Sequence, residues 1–294
     1  MSKNKSFIIV LTFFSLWIAV FFNENIENFL AYTLILSFGI IHGANDLKLI
    51  MKNMNTPTQH SFLKILSTYI FFVLLSSTIF YFFPLFALIL FILFSAYHFG
   101  EEHLSSKSFK KNKLIIGTYF VHGLLIFSIL FYTNSSEVSS IFKEITGVYP
   151  TQLLFERILY VTLFLLLVLF TLNTLNKTLS IEKVLEESFY ILILYIVFNT
   201  ASLVWSFAIY FVYWHSIPSL IRQVHYLYGN NKINNFKSYI KSSFIYWLLS
   251  IAALAIVYFF FNGNKSLFTP ILFVMLASIT FPHVWVISKL DTNY

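Results

Sequence analysis

The sequence predicts an all-α bundle of about ten transmembrane helices. Three observations carry this: 58% of the residues are apolar and 11% charged, apolar runs of about 20 residues recur throughout, and basic residues gather on alternate connections. Soluble domains carry about a quarter charged residues. No stretch of the 294 residues is left over for a separate aqueous domain, so residues 1–294 read as one integral-membrane helical domain.

Lys3 and Lys5 precede the first apolar run, 7–22. No small-residue cleavage site follows it, so it reads as a retained helix rather than a secretory signal. Further spans fall at 28–48, 63–82, 84–104, 114–133, 153–175, 185–201, 203–221, 242–261 and 267–288. Spans three and four abut at Phe83 and Pro84, and seven and eight near Ser202, so eight helices with re-entrant pieces is the alternative count. With the N-terminus inside, only Lys143, Arg157 and Lys265 fall outside; the other 16 of the 19 Lys and Arg residues lie on the cytoplasmic side. Both termini are then cytoplasmic, and the cell (inner) membrane is the expected location. The net charge of +7 is accounted for by this topology, and no nucleic-acid partner is expected. Thr133 to Pro150 and Arg222 to Lys241 are the longest connections; the second contains Gly229, Asn230, Asn231, Asn234 and Asn235 and reads as a solvated turn.

Cysteine is absent, so any metal must be held by His, Asp or Glu. Phenylalanine, at 37 residues, suits lipid-facing surfaces and equally the wall of a tunnel for a long planar hydrocarbon.

An ionisable group inside the bilayer is costly, so each intramembrane histidine is a functional candidate. His42 lies six residues before Lys48, His98 nine before Lys107, His215 seven before Arg222 and His283 six before Lys289. At about 1.5 Å per residue, all four sit roughly 9–14 Å inside one face, the arrangement needed for a metal site on facing helices. His122, nine residues after Lys113, shares that depth, whereas His60, His103 and His225 fall nearer the interface. Interfacial packing is the competing use of such side chains. Against it, Asp46 is four residues from His42, Glu101 and Glu102 three and four from His98, and Ser219 four from His215. Such groups can support and orient metal-bound imidazoles. Gly39 and Gly43 form a small-residue pair around His42, and Pro218 and Pro282 can bend their helices near His215 and His283.

The segments Gly39-Ile-Ile-His42-Gly43-Ala-Asn-Asp46, Tyr97-His98-Phe99-Gly100, Tyr213-Trp214-His215-Ser216 and Pro282-His283 resemble, in order, blocks of the Brp/Blh family of β-carotene 15,15′-dioxygenases. The resemblance covers helices two to ten. It implies an integral-membrane, iron-dependent enzyme that cleaves the central double bond of β-carotene with O₂ into two all-trans-retinal molecules, with Fe(2+) as cofactor and a functional link to a retinal-binding opsin. There are two departures. Ser219 stands where family members can carry a second histidine, and His103 where many carry Asp. His283 is therefore taken as the fourth ligand beside His42, His98 and His215, with His122 as its rival.

Imidazole-ligated iron with open positions can bind O₂ beside an alkene, which a redox-silent ion cannot. Carotene dissolves in acyl chains and would enter sideways from the lipid, with Tyr97, Tyr213 and Trp214 as candidates for the tunnel wall. The alternatives are another His-metal membrane oxidase, such as a lipid or carotenoid desaturase or hydroxylase, and a proton-coupled transporter. The first should show dense His clusters, of which His98 and His103 are the only near pair; the second should show an inverted repeat, which is not apparent. An opsin would need a mid-membrane lysine, and none of the lysines falls there.

Overall fold

The computed structural model describes residues 3–52, 54, 58–104 and 112–290. The connection carrying Lys107, from which the depth of His98 was counted, lies outside the described residues. Among those described, all regular structure is helical.

The helices are α1 (Lys3–Phe21), α2 (Glu24–Leu34), α3 (Asp46–Lys52), α4 (Gln59–Phe82), α5 (Pro84–Leu104), α6 (Lys113–Thr133) and α7 (Ser135–Thr146). They continue as α8 (Gln152–Leu175), α9 (Ile181–Thr200), α10 (Leu203–Ala208), α11 (Ile217–Tyr228), α12 (Ile233–Phe260) and α13 (Phe268–Leu290). Side-chain caps start several of them: Asn112, Thr151 and Ser180 accept hydrogen bonds from the amides of Ile115, Leu154 and Lys183. Pro84 opens α5, where its missing N–H costs nothing, and Gly229 ends α11 in the left-handed conformation at φ 81°.

Among the described residues, six helices are long and apolar enough to cross a membrane: α4, α5, α6, α8, α12 and the stretch Lys265–Ser288 that includes most of α13. The apolar part of α1, Lys5–Phe21, is shorter. The remaining expected spans are not uniform apolar helices. Span 28–48 breaks into α2, a π-helical turn over Ile35–Gly39, and a non-helical turn before α3. The break has local and distant causes. His42 Nδ1 bonds the Gly39 carbonyl, and Asn45 donates to the Tyr239 carbonyl at 3.0 Å, so polar side chains compete with helical backbone pairing. Span 203–221 is likewise α10, a π-helix over Ile209–Ser216, and α11. Span 185–201 starts four residues early, in α9, with Glu182, Lys183, Glu186 and Glu187 in its first two turns.

Two connections contain helix that apolar runs could not reveal. α7 lies between Thr133 and Pro150, anchored where the Ser139 hydroxyl donates to the Pro150 carbonyl at 2.8 Å. α12 begins at Ile233, so the solvated turn after α11 shrinks to residues 229–232.

The chain forms two compact units. Unit 1 comprises Met1–Ile35, Ile92–Lys143 and Val148–His215; unit 2 comprises Leu36–Phe91, Glu144–Gly147 and Ser216–Tyr294. In unit 1, α6 is the buried central helix and packs on α8 and α9. Its approach to α5 depends on two glycines. A Cβ at Gly100 would collide with the Tyr119 carbonyl, and one at Gly123 with the Ala96 carbonyl. In unit 2, α13 packs on α3 and α4, with Leu49 of α3 against Val286 and Ile287 of α13. A second core joins Leu220 and Val224 of α11 to Tyr239 of α12.

Candidate metal centre

His42 and His283 belong to unit 2. Their rings meet nearly edge to face, with centroids 4.9 Å apart, and both residues are about 95% buried. His42 leaves the π-helical turn, where its Nδ1 lies 2.5 Å from the Gly39 carbonyl oxygen. A carbonyl only accepts, so Nδ1 carries the proton and Nε2 the lone pair. His283 Nδ1 lies 2.9 and 3.0 Å from the two oxygens of Asp46, which directs its Nε2 lone pair the same way. Tyr69 donates to the same carboxylate at 2.9 Å. A Cβ at Gly43 would meet the His283 ring at 3.5 Å, an ordinary van der Waals contact.

The spacing of His42 and Asp46 predicted neighbours on one helical face. Instead the turn over 42–45 interrupts the helix, and Asp46 opens α3 with its carboxylate on His283. The backbone of the same turn is held by Tyr239, whose hydroxyl donates to the His42 carbonyl at 3.1 Å and to Gln223 Oε1 at 2.6 Å. Ser219 is buried on α11, where it accepts from Gln223 at 3.2 Å.

His98 and His215 belong to unit 1 and form a similar pair, with centroids 4.8 Å apart at 76°. Their surroundings are aromatic. Phe99 and Phe211 lie 4.5 and 5.8 Å from the His215 ring, and Phe99 stacks on Phe127. The π-helix over Ile209–Ser216 carries Tyr213, Trp214 and His215, and its wider turn changes the direction in which successive side chains leave the axis. Tyr97 donates to Glu101 at 2.9 Å within α5, Glu101 is buried, and Glu102 is half-buried. Tyr213 is half-buried and bonds Ser15 at 3.2 Å.

The remaining deep histidine, His122, also belongs to unit 1. Its ring lies 5.0 Å from that of His103, and both face Glu187 on α9. Coordinating atoms of these three residues lie within 4.8 Å of one another, close enough to hold a metal ion. Trp214 stacks on His103 at 5.6 Å and 11°, and its indole N–H donates to Thr12. Sequence reasoning missed Glu187 because it placed this residue near a cytoplasmic helix end. The only available signal was an acidic residue at the edge of an apolar run.

A sequence model of the beta-carotene 15,15'-dioxygenase family matches residues 33–291, a range containing all four histidines of the two pairs. No curated protein and no solved structure gives a significant match.

Proposed function

We propose that this chain, which belongs to the beta-carotene 15,15'-dioxygenase family, cleaves the central 15,15′ double bond of β-carotene with O₂, giving two all-trans-retinal molecules. One oxygen atom goes to each carbon of the broken bond. The observation that carries the reading is the pairing of buried imidazoles at the family-like blocks, with the Nδ1 atoms of His42 and His283 engaged by a carbonyl and a carboxylate. Neutral imidazoles presenting Nε2 suit a divalent ion, so His42, His98, His215 and His283 are the proposed iron ligands.

Iron(II) bound there would supply the activation of dioxygen that no side chain of this protein can provide. The chain's own part is positioning. Asp46 holds the His283 proton at Nδ1 and balances positive charge, and Tyr69 in turn orients Asp46. Phe99 and Phe211 exclude water beside His215. Tyr97, Tyr213 and Trp214 form the proposed wall along which carotene is aligned, and Glu101, Glu102 and Ser219 are proposed supports for the neighbouring helix turns. The protein acts as one domain in the inner cell membrane with both termini cytoplasmic, drawing carotene from lipid and supplying retinal to an opsin.

The test is expression in β-carotene-accumulating cells, followed by pigment extraction. Carotene loss matched by about twice as many retinal molecules is expected from the stoichiometry of central cleavage. Unchanged carotene in iron-replete membranes containing the folded protein would overturn the proposal.

A further inference from the structure

α5, α6 and α9 bring together three donors that the proposed cleavage does not use: His103, His122 and Glu187. The Glu187 side chain is fully buried, and its two oxygens face different partners. Oε1 takes Lys183 Nζ at 2.6 Å and lies 3.6 Å from Lys5 Nζ. Oε2 lies 3.0 Å from His103 Nε2 and 3.6 Å from His122 Nε2. Metal–ligand bonds of about 2.0–2.2 Å separate neighbouring donors by roughly 3.4 Å around a tetrahedral ion and roughly 3.0 Å around an octahedral one. The two observed spacings span that range.

A second observation separates this cluster from an ordinary buried ion pair. His122 is fully buried, yet neither of its ring nitrogens has a partner within ordinary hydrogen-bond distance; the same holds for His103 Nδ1. Buried polar atoms are normally satisfied, and an ion among Oε2 and the imidazoles would satisfy several at once. The nearby lysines share a second carboxylate besides Glu187. Glu186 receives Lys5 at 3.4 Å and Lys183 at 3.9 Å, so two ammonium groups face two carboxylates. Lys5, Lys183 and Glu186 are 29%, 20% and 28% exposed, which gives an ion a polar route to the buried donors. His103 is held for the purpose by its stacking on Trp214.

We propose that His103, His122 and Glu187 bind a divalent transition-metal ion, zinc or iron(II), at a site separate from the four proposed iron ligands. Two imidazoles and one carboxylate suit both ions and leave coordination positions for water. This inference is independent of the carotene reaction.

The test uses full-length protein carrying His42→Ala and His98→Ala, purified in detergent, stripped with chelator and loaded separately with Zn(II) and anaerobic Fe(II). One equivalent of one of these metals is expected to remain after dialysis, and the metal retained identifies the ion. Adding His122→Gln, or separately His103→Asn, should weaken its binding by at least about tenfold, the scale of a lost ligand or its support. Either variant suffices if the other fails to accumulate. Absence of bound metal in the starting variant overturns the proposal, as does full retention in either added variant that accumulates. Retinal formation is not read, so failure here is distinct from failure of the proposed cleavage.

Discussion

His98 and His215 in unit 1, and His42 and His283 in unit 2, meet at 4.8 and 4.9 Å, yet their supports differ. The first pair is flanked by Phe99 and Phe211, and its His98 lies on α5, which Gly100 and Gly123 allow close to α6. The second is tied to the Gly39 carbonyl and the Asp46 carboxylate. Aromatic rings surround the first pair, whereas a carbonyl and a carboxylate fix the Nδ1 protons of the second. Similar ring geometry occurs in an aromatic setting and in a carboxylate-bearing one, and substitutions in the two settings should have different effects.

The largest effect is expected from removing an imidazole. His42→Ala, His98→Ala and His215→Ala should each abolish retinal formation and lower bound iron while the protein still inserts, since a ligand is lost but little apolar packing. Iron content and retinal yield in membranes with matched protein levels check this, and full iron retention in all three would remove the four-histidine proposal. His283→Ala should behave alike, whereas His122→Ala should spare the reaction. The reverse result would exchange their roles.

Next in size is a steric contrast between the units. Gly123→Ala should destabilise unit 1 by about 3 kcal/mol or more, because its Cβ meets backbone rather than a movable side chain. Gly43→Ala meets His283 at an ordinary contact distance and should cost less than about 1 kcal/mol. Thermal unfolding in detergent distinguishes them, and equal losses would show that close helix approach is not the special requirement of unit 1.

Asp46→Asn keeps the shape of the side chain but removes its charge. A loss of about 10–100-fold in iron affinity or turnover is expected, with correct insertion retained. Wild-type values would reduce Asp46 to a packing residue. Tyr69→Phe acts one step further away and removes only a hydrogen bond to that carboxylate. About 1–2 kcal/mol of stability, with a smaller activity loss than Asp46→Asn, is expected from unfolding and retinal assays on the same preparations. An activity loss exceeding that of Asp46→Asn would show that Tyr69 acts other than through Asp46.

Hydropathy and charge placement alone located α5 and α6 almost to the residue, because an apolar stretch bounded by Pro84, or by the cap Asn112, is a local property of the chain. The sequence also supplied the histidines, and its spacing marked Asp46 as a partner for a buried imidazole. Tertiary structure decided which imidazole it serves: the turn over 42–45 delivers Asp46 to His283, a residue 237 positions away. It also decided the π-helical segments beside His42 and within Tyr213–His215, and the gathering of His103 and His122 at Glu187. Composition sums contributions residue by residue and can identify a helix that favours lipid. Where that helix breaks, and which buried donor answers a polar atom, depends on groups brought close only when distant segments pack.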